Sequence, residues 1–319
     1  MSIQNNLLPQ VSVIVPIYNG EKDLPGLIDC LKKQSYPVGK VEYLLVDNNS
    51  SDRTAEVITN ASKEPAKEGI KICLLSSHQI QSSYAARNTG IKTSQSKILA
   101  FTDADCRPQA DWLKYLIAPF ANPEIGIVAG EISPLPGNTI WERYADYQET
   151  LSQKHTLAHS FCAYGQTANL AMRREIFEEI GLFRPHLTTG GDADICWRTL
   201  RETTWQIEFA PKAIIRHRHR ASLKEFRSQW RRYGRSNRYL HELHGVPLQR
   251  QLTNRESLYR LSRWLLKELP LTSIKVITKK ASPIELITTP IDLISVWERT
   301  TGQNTTQLQE IAKEIEFFS

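Results

Sequence analysis

The chain has 319 residues, 40% of them hydrophobic and 23% charged, with a formal net charge of +6. That suffices for one large domain or a domain with an appendage. The basic excess points to anionic partners: a nucleotide diphosphate, an anionic membrane face or a phosphorylated acceptor. Zinc-finger spacing and RNA-binding signatures are missing, which argues against nucleic acid.

Residues 1–10 have no basic n-region, and the apolar run after them is short and broken by Pro16, so it reads as a strand rather than a signal peptide. No apolar run approaches the ~18 residues of a spanning helix. Strands are expected at 11–15, 41–46, 70–75 and 98–101, with helices at 24–34, 54–62, 84–93 and 110–120. Asp52 suits the N-cap of the second helix. A strand at 126–132 follows Asn122-Pro123, and a helical stretch runs from 140 to about 155. Short strands at 168–172 and 207–209 and short helices at 176–180 and 192–201 come next, then a long basic helix from 222 to about 244. Composition shifts after Gly245-Val246-Pro247, and helical pieces cover 252–269 and 290–299. There is no internal repeat or low-complexity tract. The alternation predicts an α/β architecture, a mostly parallel Rossmann-like sheet covered by helices. Residues 1–245 form the expected main domain and 246–319 a helical C-terminal extension.

The five cysteines, Cys30, Cys73, Cys106, Cys162 and Cys196, are scattered, odd in number and without a Cys-x-x-Cys. They read as free thiols in a reducing compartment, which places the chain in the cytoplasm.

Polar residues follow consecutive apolar strands. Val11-Ser-Val-Ile-Val-Pro16 stops at Ile17-Tyr18-Asn19, and Tyr43-Leu-Leu-Val-Asp47 leads into Asn48-Asn49-Ser50-Ser51-Asp52-Arg53-Thr54. Asn48 and Asn49 suit the tight turn and need no ligand role. Phe101-Thr102-Asp103-Ala104-Asp105 ends a buried strand in two carboxylates, and the Arg107-Pro108 after it is not expected to continue a ladder. Further on stands Gly190-Gly191-Asp192-Ala193-Asp194. In open α/β sheets, ligands bind outside the carboxyl ends of the strands. Paired acids there suit Mg²⁺ or Mn²⁺ meeting a diphosphate, because hard cations take oxygen ligands.

From about Val11 to about Gly245 the sequence resembles the inverting nucleotide-sugar glycosyltransferases of family 2, which have the GT-A fold. The resemblance rests on Pro16-x-Tyr18-Asn19, Val46-Asp47-Asn48-x-Ser50-x-Asp52-x-Thr54, Ala86-Arg87-Asn88-x-Gly90, Asp103-x-Asp105, Gly191-Asp192-x-Asp194 with Arg198, and Gln229-Trp230-Arg231-Arg232-Tyr233. It implies that Pro16, Tyr18, Asp47, Arg87 and Asp103 form the nucleotide pocket. Tyr18 would face the base, and Asp47 would accept the imide N–H of uracil, favouring a UDP-sugar. Asp105 would ligate the metal, with Asp103 orienting it and His217 or His219, His217 preferred, as a further ligand. Asp192 would be the general base, although the family places an acid where Gly191 stands, which makes Asp194 the rival. The glycines before Asp192 would let backbone approach a sugar. Arg198 would pair within its helix. Gln229 to Tyr233, with Tyr where processive synthases carry Trp, would bind the acceptor end and phosphates; without spanning helices, processive polymer synthesis is not expected.

The implied partners are a nucleotide-sugar donor and a glycan or lipid-linked acceptor, in polysaccharide, glycolipid or cell-envelope glycan synthesis. A sugar-nucleotide pyrophosphorylase would need a Gly-rich basic phosphate loop, which Pro16 to Gly20 is not. A non-catalytic carbohydrate-binding scaffold would be expected to have lost Asp105 or Asp192, and both are present. Finally, Ile284, Ile287, Ile291, Ile294 and Trp297 recur at near-helical spacing after Lys275, Lys279 and Lys280. This stripe either packs on the catalytic domain or lies peripherally on an anionic, cytoplasmic membrane face. On the second reading, residues 282–319 are dispensable for donor hydrolysis.

Overall fold

The computed structural model describes residues 8–63 and 69–318. Strands β1 (Val11–Ile17), β2 (Val41–Asp47), β3 (Lys71–Ser76) and β4 (Ile98–Thr102) pair in parallel in the order β3-β2-β1-β4. Helices α1 (Leu24–Lys32), α2 (Thr54–Lys63) and α3 (Ser83–Thr93) connect them in turn. β1 and β4 are apolar along nearly their whole length and almost fully buried, as strands covered on both faces must be.

The sheet then turns mixed. It continues through β5 (Cys106–Pro108), α4 (Trp112–Ile117), β6 (Ile125–Pro134), α5 (Ile140–Tyr147), α6 (Gln153–Leu157), β7 (Asn169–Arg173), α7 (Arg174–Ile180), α8 (Gly191–Glu202) and β8 (Gln206–His217). β7 runs antiparallel to β4 and β6, and β5 antiparallel to β8, completing the order β3-β2-β1-β4-β7-β6-β8-β5.

Three local expectations change. Pro108 does sit in a strand, opposite Ile215, because β5 is an edge where a missing N–H costs no ladder bond. The helix expected from 140 to 155 is two helices; Glu149 between them has a left-handed φ of 47°, and the Ser152 hydroxyl accepts the Lys154 N–H to start the second. The strand expected at 207–209 runs for 12 residues, with Pro211 inside it.

Packing divides the chain into two compact units. One comprises residues 1–133, 151–217 and 309–319; the other comprises 134–150 and 218–308. The first holds the main apolar core, with Val13, Leu27, Tyr43, Trp112 and Leu116 among its buried members. The second is helical: α5, α9 (Leu223–His244), α10 (Asn254–Arg263), α11 (Leu269–Ile277) and α12 (Thr288–Asn304).

In the helical unit α9 and α12 touch backbone to backbone. A Cβ on Gly234 would meet the Arg299 carbonyl at 2.0 Å, and one on Gly302 the Arg231 carbonyl at 2.0 Å. Ile284 and Ile291 are buried with Tyr144 and Phe226, and Ile287 and Ile294 pack against them. The stripe expected to face either the catalytic domain or a membrane is therefore covered within its own unit. Trp297 alone of that stripe stays open, with the Arg227 guanidinium 5.6 Å above its ring.

Candidate active site

Parallel pairing sets the ends of β1, β2 and β4 side by side. Ile17 pairs with Asp47, so Tyr18 and Asp47 leave neighbouring strands at one rim, and Asp103 leaves β4 there. β7 runs the other way with Asn169 opposite Thr102, which brings Thr167 to the same rim. His217, the last residue of β8, pairs with Cys106.

The first two loops are laced together. The Glu21 N–H donates to Asp52 Oδ2 at 3.1 Å, and the Arg53 N–H donates to Glu21 Oε2 at 3.1 Å. Asn19, left-handed at φ 51°, accepts the Ser51 N–H at 2.9 Å. Asp52 Oδ1 accepts the Thr54 N–H at 3.0 Å as α2 begins. Tyr18 stands out at 56% exposure, and Pro16 is half-buried within β1. Asp47 is buried and its Oδ1 accepts the Ser50 N–H at 3.1 Å. Asn48 donates to the Ser77 and Ile80 carbonyls at 2.7 and 2.9 Å, the turn role expected of it.

Past β4 the charges converge. Buried Arg87 donates from Nη2 to Asp103 Oδ1 at 2.7 Å. Burial pushes the Asp103 carboxyl above its ordinary range; Arg87 and His217 pull it down, while Asp105 and Asp192 push it further up. Asp105 Oδ1 lies 3.3 Å from His217 Nε2. The Cys106 Sγ completes a group whose ligand atoms lie within 4.8 Å of one another. Burial lifts the Cys106 thiol well above its usual range, so it stays protonated and is a poor donor to a hard cation. Arg107 fixes this loop by donating to the Ala104 and Cys106 carbonyls at 3.2 and 2.7 Å.

Asp192 and Asp194 face different surroundings. Asp192, in the first turn of α8, accepts a hydrogen bond from the Thr167 hydroxyl at 2.8 Å. Asp194 is fully buried and ion-paired to Arg184 at 3.1 Å and to Arg198 at 3.2 Å, the within-helix pair expected of Arg198. Gly190 caps α8 at φ 81°. A Cβ on Gly191 would strike the Tyr84 ring at 2.6 Å, and its N–H donates to the Tyr84 hydroxyl at 2.9 Å. An acidic side chain at Gly191 would therefore have to displace the Tyr84 ring.

Some residues escaped the sequence reading. Tyr84 stacks on Phe183 at 5.7 Å and carries the Arg87 guanidinium 5.5 Å over its ring, so it joins the Asp103 and Asp192 sides. Its position three residues before Arg87, on the same face of α3, was the available signal. Asn169 accepts from the Trp112 ring N–H at 2.7 Å and donates to the Glu131 and Ala213 carbonyls at 2.8 Å each, tying β7 to its neighbours.

The remaining candidates belong to the helical unit. His219, the alternative to His217, belongs to the helical unit, where it acts on Glu142. The segment from Gln229 to Tyr233 also lies there. Arg231 ion-pairs with the buried Glu298 at 2.6 Å and Gln229 donates to the Tyr233 hydroxyl at 3.0 Å.

A mixed sheet with its acids collected outside the strand ends is the architecture of a GT-A glycosyltransferase. The sequence matches the profile of "Glycosyl transferase family 2" over residues 12–181, and that of "Glycosyl transferase family group 2" over 98–294. The chain belongs to glycosyl transferase family 2. It is 35% identical over 213 residues to glycosyltransferase AglE of Haloferax volcanii, covering 66% of this chain and 67% of that one. It is 26% identical over 231 residues to the pre-mycofactocin glycosyltransferase of Mycobacterium tuberculosis, 71% of this chain but only 46% of that one. Among solved structures it resembles a mannosyltransferase, PcManGT from Pyrobaculum calidifontis, in complex with GDP-Man and Mn²⁺. The TM-score is 0.63 at 18% identity, over 94% of this chain and 88% of that one, a likeness of fold.

Proposed function

We propose that this chain is an inverting glycosyltransferase that moves a sugar from a nucleoside-diphosphate donor to a hydroxyl of a glycan or lipid-linked acceptor. The observation that carries the reading is the pair of acids just past β4, Asp103 held by Arg87 at 2.7 Å and Asp105 lying 3.3 Å from His217 Nε2. All the residues given roles lie within 1–245, which we take as the catalytic region.

Asp192 takes the acceptor hydroxyl's proton as that oxygen bonds to the anomeric carbon and the bond to the diphosphate breaks on the opposite side. Thr167 holds Asp192 Oδ1 and leaves Oδ2 to meet the acceptor. Asp103, oriented by Arg87, is placed to accept from the donor's ribose hydroxyls. Tyr18 offers its exposed ring to the base, with Pro16 and Asp47 beside it. Asp47 Oδ1 is engaged by Ser50, so the remaining oxygen suits the single imide N–H of uracil better than the paired donors of guanine. A UDP-sugar is therefore the favoured donor.

Asp105 and His217 fit a divalent cation: a carboxylate oxygen and an imidazole nitrogen 3.3 Å apart, both largely shielded from water. They would hold Mg²⁺ or Mn²⁺, which when bound offsets negative charge on the leaving diphosphate. The Mn²⁺ of the Pyrobaculum structure is in keeping with this.

Calorimetric titration of UDP and GDP, with and without Mn²⁺, tests the reading. UDP is expected to bind more tightly with Mn²⁺, and Asp105→Ala to remove that gain by at least about 10–100-fold. Affinity unaffected by Mn²⁺ in both proteins would refute the metal assignment.

A further inference from the structure

The helical unit leaves a different apolar face uncovered from the stripe singled out in the sequence. From Asn254 to Ile277 the chain is continuously helical: α10, a π turn at Trp264–Glu268, then α11. None of these three elements has a buried residue. Leu258, Leu261 and Leu265 recur at i, i+3 and i+7, and Leu266 in the π turn with Ile274 and Ile277 on α11 extend the apolar surface. These six side chains are 41–80% exposed. The inner side is anchored instead: the Trp264 ring N–H donates to the Leu286 carbonyl at 2.8 Å, and Glu268 accepts the Thr289 hydroxyl at 2.8 Å. A folded protein rarely leaves so many large apolar side chains in water along one element without a partner for them.

Charge identifies the partner. Arg255, Arg260, Lys267, Lys275, Lys279 and Lys280 are exposed along the same segment and just beyond it. The acids among them are already engaged, Glu256 by Arg250 and Glu268 by Arg263 at 2.8 Å. A second copy of this chain would set these cations against themselves. An anionic bilayer surface satisfies both features, taking the leucines and isoleucines below the headgroups and the cations among the lipid phosphates. Exposed Tyr259 and half-buried Trp264 supply the aromatic rings that favour that boundary.

We propose that residues 254–280 are a monotopic membrane-docking segment that binds anionic lipid. The proposal rests on the helical unit alone and holds whatever the donor and acceptor are.

The test is co-sedimentation of the full chain with phosphatidylcholine vesicles, with and without phosphatidylglycerol. Binding is expected only to the anionic vesicles and should weaken as salt rises. Leu265→Ser, Leu266→Ser, Ile274→Ser and Ile277→Ser together should lower partition at least tenfold. R255Q, K267Q and K275Q together should lower it by about fivefold per cation, roughly a hundredfold in all. Both variants should keep the parent's thermal unfolding, since they alter exposed side chains. The proposal is overturned if the chain remains in the supernatant, if neutral vesicles bind it equally, or if neither variant changes partition. It is equally overturned if sedimentation equilibrium shows a dimer that the serine variant dissociates, which would give the face to a second copy.

Discussion

Asp192 and Asp194 lie two positions apart on α8, and their neighbours separate their chemistry. Asp194 has no exposure and holds two arginines, and Arg198 is itself buried and donates to the Ile180 and Leu182 carbonyls at 2.7 Å each. Removing the carboxylate's charge would leave those guanidinium groups in the interior uncompensated. Breaking a buried pair from one side typically costs about 3–5 kcal/mol. Asp194→Asn should therefore lower the unfolding temperature strongly. Asp192 is half-buried with a hydroxyl for a partner, so Asp192→Asn should unfold near the parent temperature while transfer slows by roughly 10²–10⁴-fold. Thermal unfolding and transfer rate, measured on both variants, check the assignment. If Asp194→Asn kept its stability and lost transfer, the base would be Asp194.

Among the elements, the helical unit starts its helices with one device used repeatedly. Thr139 with Glu142, Ser222 with Glu225 and Thr253 with Glu256 form capping boxes ahead of α5, α9 and α10. The Thr139 N–H holds the Glu142 carboxyl below its ordinary range. Burial pushes Glu225 up, but bonds from Ala221 and Ser222 outweigh it and leave that carboxyl lowered too. The Thr253 N–H lowers Glu256. Acids lowered in the folded chain stabilise it fully above the unfolded value, about 4.3, and lose that contribution as pH falls through the folded values. E142Q, E225Q and E256Q together keep the reciprocal bonds without a titrating proton. Circular dichroism should show a shallower loss of helix below about pH 4.3 for this triple variant than for the parent. Matching acid profiles would mean that the boxes do not set the acid sensitivity.

Glu316, though far along the chain, belongs with the sheet unit. Glu316 Oε2 accepts from Asn88 Nδ2 at 2.6 Å, its Oε1 lies 2.5 Å from Lys92 Nζ, and its carbonyl accepts the Leu182 N–H at 2.7 Å. Asn88 is buried and also brackets Phe183, donating to its carbonyl at 2.8 Å and accepting its N–H at 3.1 Å. Removing residues 282–319 would take Glu316 from α3, the helix that carries Arg87. Hydrogen bonds to charged groups are worth about 1.5–3 kcal/mol each. Discounted for partial exposure, Glu316→Ala should lower the unfolding temperature by several degrees, taking about 2–4 °C per kcal/mol for a unit of this size. Calorimetry of this variant against Glu316→Gln, which can still accept from Asn88, measures the anchor. An unchanged melting temperature in both would show that the tail is not holding the sheet unit.

The parallel strands, the turn chemistry of Asn48 and the set of acids at the strand ends were legible in the order of residues. These are properties of runs of neighbouring residues: apolar stretches that only a covered sheet accepts, ended by residues that suit turns. Packing between distant parts of the chain set the rest. It gave Asp194 to Arg184 and Arg198, set Gly191 against Tyr84 and placed Pro108 on an edge. It also covered one apolar stripe while leaving another open. Residues 258–277 and 284–294 both carry amphipathic spacing, and periodicity says that a face will be covered without saying by what. Only the packing of Tyr144 and Phe226 onto Ile284 and Ile291 separated the two.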